Sequence, residues 1–322
     1  VAAGCYVQEA GEKLLADEAV DIIVGNNRKG QIVEVLEEYF KGRNIDNSFI
    51  DINKTREYEN LEINASLAHT RAYIKIQDGC NQFCTYCIIP FARGRVRSRK
   101  PEEIMEEIKG LVDRGYREVV LTGIHLSSYG LDHGEDLLGL IRAVHEVEGI
   151  ERIRLGSLEP GIITEEFVQS IAALPKMCPH FHLSLQSGCD TTLERMNRRY
   201  RSAEYAEKCG LLRKYLGNPA LTTDVIVGFP METEEDFILA WSKYEEKLKE
   251  TIRVGIKILK TPVNDNETQN ILKTLEAFGF NEEINLLNKK IGNTTDRTNK
   301  VGDSSILAPI EKESKDQIKK IL

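Results

Sequence analysis

The sequence predicts an α/β fold, an incomplete TIM-like barrel preceded by a smaller α/β piece, and three observations carry that prediction. Short β-rich runs alternate with amphipathic helical patterns from residue 72 onward, the pattern of parallel β/α units. Five such units fit into about 170 residues, fewer than the eight of a closed barrel. The residues with chemistry to offer follow the strands, at the edge where a β/α barrel keeps its site.

Taken in order, a strand is expected at residues 21–24 and a helix at 31–40; both belong to a first piece, residues 1–64, that reads as half a domain. The core, residues 65–240, takes strands at 72–76, 118–121, 152–155, 181–185 and 222–227. Its helices fall at 101–114, 136–146, 164–174 and 202–216, the first opened by Pro101, which helix starts favour. Up to residue 240 the chain holds 18 Arg and 10 Lys; from Trp241 on it holds 2 and 13. Residues 241–322 are therefore read as a separate, lysine- and asparagine-rich segment, with a possible sixth barrel strand at 251–259.

The 322 residues are 41% hydrophobic and 29% charged, which excludes disorder throughout. No stretch approaches the roughly 18 continuous apolar residues of a membrane-spanning helix. The chain opens on Val1 without a signal-peptide pattern, so a cytoplasmic fragment is expected. A net charge of -8 argues against a uniformly basic nucleic-acid coat but permits local basic patches. Seven cysteines, an odd number in a long chain, suit a metal or catalytic role better than a disulfide scaffold.

Three of those cysteines stand together. Gly79-Cys80-Asn81-Gln82-Phe83-Cys84-Thr85-Tyr86-Cys87 gives C-x3-C-x2-C spacing directly after the first core strand. Soft thiolates select iron-sulfur clusters, zinc or copper. Structural zinc wants four protein ligands, and the nearest further candidate downstream is His125. A 4Fe-4S cluster on three cysteines leaves one iron open to a small molecule. Zinc, or three packing thiols, are the competing readings.

This motif, with YIKIQDGCNQFCTYCIIPFARGRVRSR, LTGIHLSSYG, RIRLGSLEP, HLSLQSGCD, MNRRY and TDVIVGFP, resembles the radical-SAM methylthiotransferases. Among them it is most similar to the branch acting on N6-threonylcarbamoyladenosine (t6A) in tRNA. The resemblance implies a partial (β/α)6-type radical-SAM barrel after a remnant of the N-terminal methylthiotransferase domain. It implies a 4Fe-4S cluster on Cys80, Cys84 and Cys87 whose open iron takes S-adenosylmethionine (SAM). Implied SAM contacts are Tyr86 at the adenine, Thr122 and Gly123 at the amino group, Ser184 and Gln186 at the ribose, Arg198 at the carboxylate, and Val225. Cys5 matches the third cysteine of a second 4Fe-4S cluster, and its two companions are absent from this sequence, so complete methylthiolation by this chain alone is not expected. Implied partners are the tRNA anticodon loop, an electron donor of flavodoxin or ferredoxin type, and a sulfur donor the sequence does not identify. Methylthiolation of a ribosomal-protein aspartate, and a non-catalytic iron-sulfur fragment, are the alternatives.

Arg93, Arg95, Arg97, Arg99 and Lys100, beside Pro90 and Phe91, are expected to form a basic loop that contacts RNA phosphates, the alternative being a solvated loop balanced by the following Glu102, Glu103, Glu106 and Glu107. Cys178, Cys189 and Cys209 are expected to be packing thiols, and His125, His133, His180 and His182 are assigned no role.

Overall fold

A computed structural model describes residues 1–43, 50–61, 71–247 and 252–258. Most of the expected 241–322 segment therefore lies outside the described residues, as do the last residues of the 1–64 piece. By internal contacts the chain divides into two units, Val1–Thr222 and Thr223–Leu322.

The first unit begins with a two-stranded parallel sheet, β1 (Ala2–Ala3) and β2 (Ile23–Val24), joined by helix α1 (Cys5–Leu15) and followed by α2 (Ile32–Phe40). The main sheet comprises β3 (Ala72–Asp78), β4 (Arg97–Ser98), β5 (Glu118–Gly123) and β6 (Arg152–Leu155), in the order β4-β3-β5-β6. β3, β5 and β6 run parallel, and β4 is antiparallel to β3.

The residue pattern explains each strand's place. Ala72, Ile74 and Ile76 on β3 are buried and alternate with exposed Tyr73, as period-2 geometry requires. At the end of β3 the alternation stops: Gln77 and Asp78 are buried too, after a register shift between Lys75 and Gln77. A bulge at a strand end re-aims side chains. Val119, Val120 and Leu121 make β5 apolar on both faces, as a central parallel strand should be.

Helices α3 (Ile89–Ala92), α4 (Pro101–Asp113), α5 (Leu137–His145) and α6 (Glu165–Ala172) follow the strands. In α4, Ile104, Ile108 and Leu111 recur at three- and four-residue spacing and are fully buried. Each such burial is worth about 1.5–3 kcal/mol, more than any propensity difference among ordinary residues. Asp136 caps α5 by accepting from Gly139 N at 2.8 Å, and Thr164 caps α6 by accepting from Phe167 N at 3.1 Å.

A second sheet has the order β7-β8-β9: β7 (His180–His182), β8 (Ala220–Val227) and β9 (Ile252–Ile258). β7 pairs in parallel with Ala220 to Thr222 of β8. Between them in sequence lie α7 (Asp190–Arg195) and α8 (Ser202–Leu216), the latter buried at Tyr205, Cys209 and Leu212. The second unit begins within β8 and continues through α9 (Glu234–Lys247) to β9, the strand expected at 251–259.

The structure departs from a closed barrel. Between β6 and β7 the chain segments meet through isolated bridges outside the two ladders, Ile153 with Met177 and Leu158 with Leu183, and the main sheet and the β7 sheet are separate. The expected strand at 181–185 is shorter: Leu183 N still donates to Thr222 O of β8 at 2.9 Å, and three residues on Gln186 takes a left-handed φ of 69°. Short α3, α7 and β4 carry too few residues for periodicity to reveal them.

Candidate active site at the strand ends

The cysteine loop leaves the end of β3 and is held from three sides. Gly79 must be glycine: its φ is +71°, and an added Cβ would stand 1.9 Å from Arg95 O. That close approach brings the 94–96 backbone against the loop, with Cys80 N donating to Gly94 O at 3.0 Å. Buried Gln77 staples β3 to the turn after β5, donating to Asp78 O and Gly79 O at 2.7 Å each and accepting from His125 N at 2.7 Å. On the far side, Thr85 Oγ1 donates to Arg195 O at 2.9 Å, and Asn197 Nδ2 donates to Phe83 O at 2.9 Å. Phe83 and Asn197 both take positive φ, 53° and 58°, a local strain that the stitching maintains.

The Asn197 connection delivers Arg198 to the loop. Arg198 Nη2 donates to Tyr86 Oη at 2.7 Å, and Arg198 Nη1 reaches Glu159 Oε1 at 3.4 Å. Its guanidinium carbon lies 5.8 Å from the ring centroids of both Tyr86 and Tyr200. Tyr200 Oη donates to Ser184 O at 2.7 Å and Leu185 O at 2.8 Å, which ties this corner to the end of β7. Glu159 Oε2 accepts from Gln82 Nε2 at 3.0 Å and lies 3.0 Å from His125 Nε2, whose other nitrogen is 2.5 Å from Ser128 Oγ.

Burial raises the pKa of Cys80 and Cys84, opposed at Cys84 by the charge of Arg198. Tyr86 is pushed up to about 12, chiefly by burial. Burial also works to raise Glu159, but the His125 hydrogen bond and the charges of His125, Arg198 and Arg199 outweigh it, and the carboxyl ends below its ordinary value. Glu159 is therefore an anion at neutral pH.

The residues expected at the site meet differing fates. Cys80 is buried, Cys84 and Cys87 half-buried, and all three are free thiols. Among the described residues no three His, Cys, Asp or Glu side chains converge on one ion's position. Three soft thiolates from one loop fit a 4Fe-4S cubane, which would take each on a different iron. Tyr86 and Arg198 are joined directly. Thr122 Oγ1 donates back to Ile74 O at 3.2 Å, and Gly123 packs so close that a Cβ would meet Gln77 Oε1 at 2.9 Å. Ser184 is half-buried, its carbonyl taken by Tyr200; Gln186 holds the left-handed turn just beyond. Val225 lies buried on β8 in the second unit. In the N-terminal piece, Asn26 Nδ2 donates to Cys5 Sγ at 3.4 Å and to Ala92 O at 2.5 Å.

Two expectations change. Arg97 and Arg99 do not form an exposed basic loop: both are buried, Arg97 3.9 Å from Asp78 and Arg99 paired with Glu107. Arg93 also pairs with Asp78, at 3.3 Å. The acidic partner of Arg93 and Arg97 lies on β3, while that of Arg99 lies eight residues on, in α4. His125 and Glu159, given no role from sequence, join the site. The signal for Glu159 was a carboxylate just past a strand end in LGSLEP; nothing local marked its partners.

Residues 74–240 match the Radical SAM superfamily model, just over half of the chain. The chain belongs to the radical SAM superfamily. Chemistry of that name is done with a 4Fe-4S cluster and SAM, the cofactor pair of this family. The radical SAM chain is 42% identical over 245 residues to threonylcarbamoyladenosine tRNA methylthiotransferase MtaB of Bacillus subtilis, covering 76% of this chain and 54% of that protein. To the Aquifex aeolicus protein of the same name it is 42% identical over 237 residues, 74% and 58% of the two chains. To tRNA-2-methylthio-N(6)-dimethylallyladenosine synthase of Clostridium perfringens it is 36% identical over 302 residues, 89% and 65%. The chain thus spans between about half and two thirds of these relatives. Among solved structures it is similar in fold to the cobalamin-dependent SAM radical enzyme OxsB, with a TM-score of 0.58 at 12% identity over 78% of this chain and 40% of that one. Among the described residues no helix is long and apolar enough to cross a membrane.

Proposed function

We propose that the chain is the radical-SAM portion of a tRNA methylthiotransferase that converts t6A at position 37 to its 2-methylthio derivative. The observation that carries the reading is the thiol loop stitched to Arg198, Tyr86 and Glu159 at the strand ends, in a chain 42% identical to proteins named for this reaction. Cys80, Cys84 and Cys87 would hold the 4Fe-4S cluster. Cluster and SAM together supply reductive cleavage of the sulfonium.

The chain's own residues bind and orient. Arg198 offers a guanidinium fork to the SAM carboxylate, and Glu159 keeps it aimed. Tyr86 would lie against the adenine, Ser184 and Gln186 would receive the ribose, and the turn at Thr122 and Gly123 would admit the amino group. Cys5, with Asn26 beside it, would be one ligand of a second 4Fe-4S cluster, the other two cysteines of which are not in this sequence. The domain division is residues 1–64, 65–240 and 241–322, and the setting is the cytoplasm. The electron comes from a flavodoxin- or ferredoxin-type donor.

The test is nucleoside mass analysis of tRNA from a strain lacking the gene. Loss of 2-methylthio-t6A with t6A retained supports the reading, and an unchanged nucleoside profile contradicts it. An unchanged profile with loss of a methylthiolated ribosomal protein would select the aspartate-modifying alternative.

A further inference from the structure

A cavity of about 450 Å³ opens beside the cysteine loop, with Asn81 and Gln82 of the loop itself in its wall. Three arginines line it, Arg56, Arg95 and Arg199, against one carboxylate, Asp132. Asp132 is partly engaged already, accepting from Ser98 N at 2.9 Å. The neighbouring arginines all have acidic partners: Arg93 and Arg97 on Asp78, Arg99 on Glu107, Arg198 on Glu159. Among the described residues no carboxylate forms an ion pair with Arg56, Arg95 or Arg199.

Arg95 is the most telling of the three. Its Nη1 is buried and has no hydrogen-bond partner among the described residues. A buried guanidinium donor left unpaired is costly, and a phosphate oxygen entering the cavity would satisfy it. Its guanidinium is held over the Phe83 ring, 4.5 Å from the centroid, and its backbone is fixed by the contact with Gly79. Phe83 packs edge-on against Phe91, which is 54% exposed. A fixed arginine, a preformed cavity with excess positive charge and an adjoining exposed aromatic together suit a phosphodiester with an unstacked base beside it.

We propose that this cavity is a phosphate subsite for the substrate RNA, with Arg95 as its central ligand and Arg56 and Arg199 on either side. The inference rests on the RNA-substrate reading above and narrows it to three side chains. It replaces the linear basic run by a pocket whose members are distant in sequence.

The test uses the full chain, reconstituted anaerobically, with a fluorescently labelled anticodon stem-loop RNA. Binding is measured by anisotropy across a series of KCl concentrations, for wild type, Arg95→Ala, Arg95→Lys and Arg199→Gln at matched iron content. Each lost phosphate contact should reduce the slope of log K against log salt by about 0.7, the single-strand value per phosphate. Arg95→Ala should weaken binding about 5–10-fold at low salt, and Arg95→Lys should recover part of that loss. An unchanged slope in Arg95→Ala and Arg199→Gln overturns the inference, as does a wild-type chain that does not bind the hairpin. Loss of SAM affinity in Arg95→Ala would put the cavity on the cofactor side and also overturn it. SAM cleavage by wild type under dithionite reads the radical-SAM assignment separately: cleavage without RNA binding sinks only the subsite.

Discussion

Single residues carry the chemistry, and their environments set what each substitution does. Cys84 is half-buried and joined to the rest of the loop through backbone, so Cys84→Ala should leave the fold in place. It should abolish the brown absorbance of the reconstituted protein and its SAM cleavage; retention of both would remove Cys84 from the ligand set. Arg198→Ala takes a cation from between Tyr86 and Glu159 and should lower SAM affinity at least about tenfold, the scale of a charge-assisted bidentate contact, at unchanged iron content. Isothermal titration with SAM checks it, and equal affinity in the variant would contradict the clamp. Gly79→Ala sets a Cβ against Arg95 O and forces an L residue to φ +71°. Strain of this kind costs about 1–3 kcal/mol, so thermal unfolding should shift downward by several degrees.

At the scale of elements, the parallel strands and their helices were legible because each buries a periodic apolar set large enough to override local propensity. The thiol motif was legible because three soft ligands in eight residues have few other uses. Glu159, His125 and the burial of Arg97 beside Asp78 were not, since their partners come from other elements and only folding brings them together, whereas the Glu107 partner of Arg99 stood in the acidic run just after it. The main sheet carries such a cross-strand device at its far end. Buried Glu118 of β5 pairs with Arg152 at 2.7 Å and Arg154 at 2.6 Å on β6, and with Arg71 at 3.4 Å just before β3. Burial alone would raise its pKa, but the Arg152 and Arg154 hydrogen bonds prevail and lower it. A carboxyl with a lowered folded-state pKa stabilises above its unfolded value, about 4.3, and loses that contribution as pH falls through the folded value. Glu118→Gln should therefore destabilise by about 1–2 kcal/mol at pH 7, given arginines that are partly solvated. The gap between variant and wild type should close as the pH drops below about 4.3, in urea unfolding followed by circular dichroism. A gap independent of pH would show that the charge at Glu118 is immaterial.

For the whole molecule, a net charge of -8 coexists with a cavity lined by three arginines beside a thiol loop. Local placement, not overall charge, decides what binds there. The parallel core presents its strand ends to one loop cluster, and the family match spans that core. The most direct measurement is metal and sulfide analysis with electron paramagnetic resonance on the chain reconstituted without oxygen, beside Cys80→Ala, Cys84→Ala and Cys87→Ala. The account predicts about four irons and four sulfides per wild-type chain at this loop, a reduced-state signal that changes on adding SAM, and loss of that signal in each variant. Protein that retains zinc with no iron, or a cluster that survives all three substitutions, would contradict it.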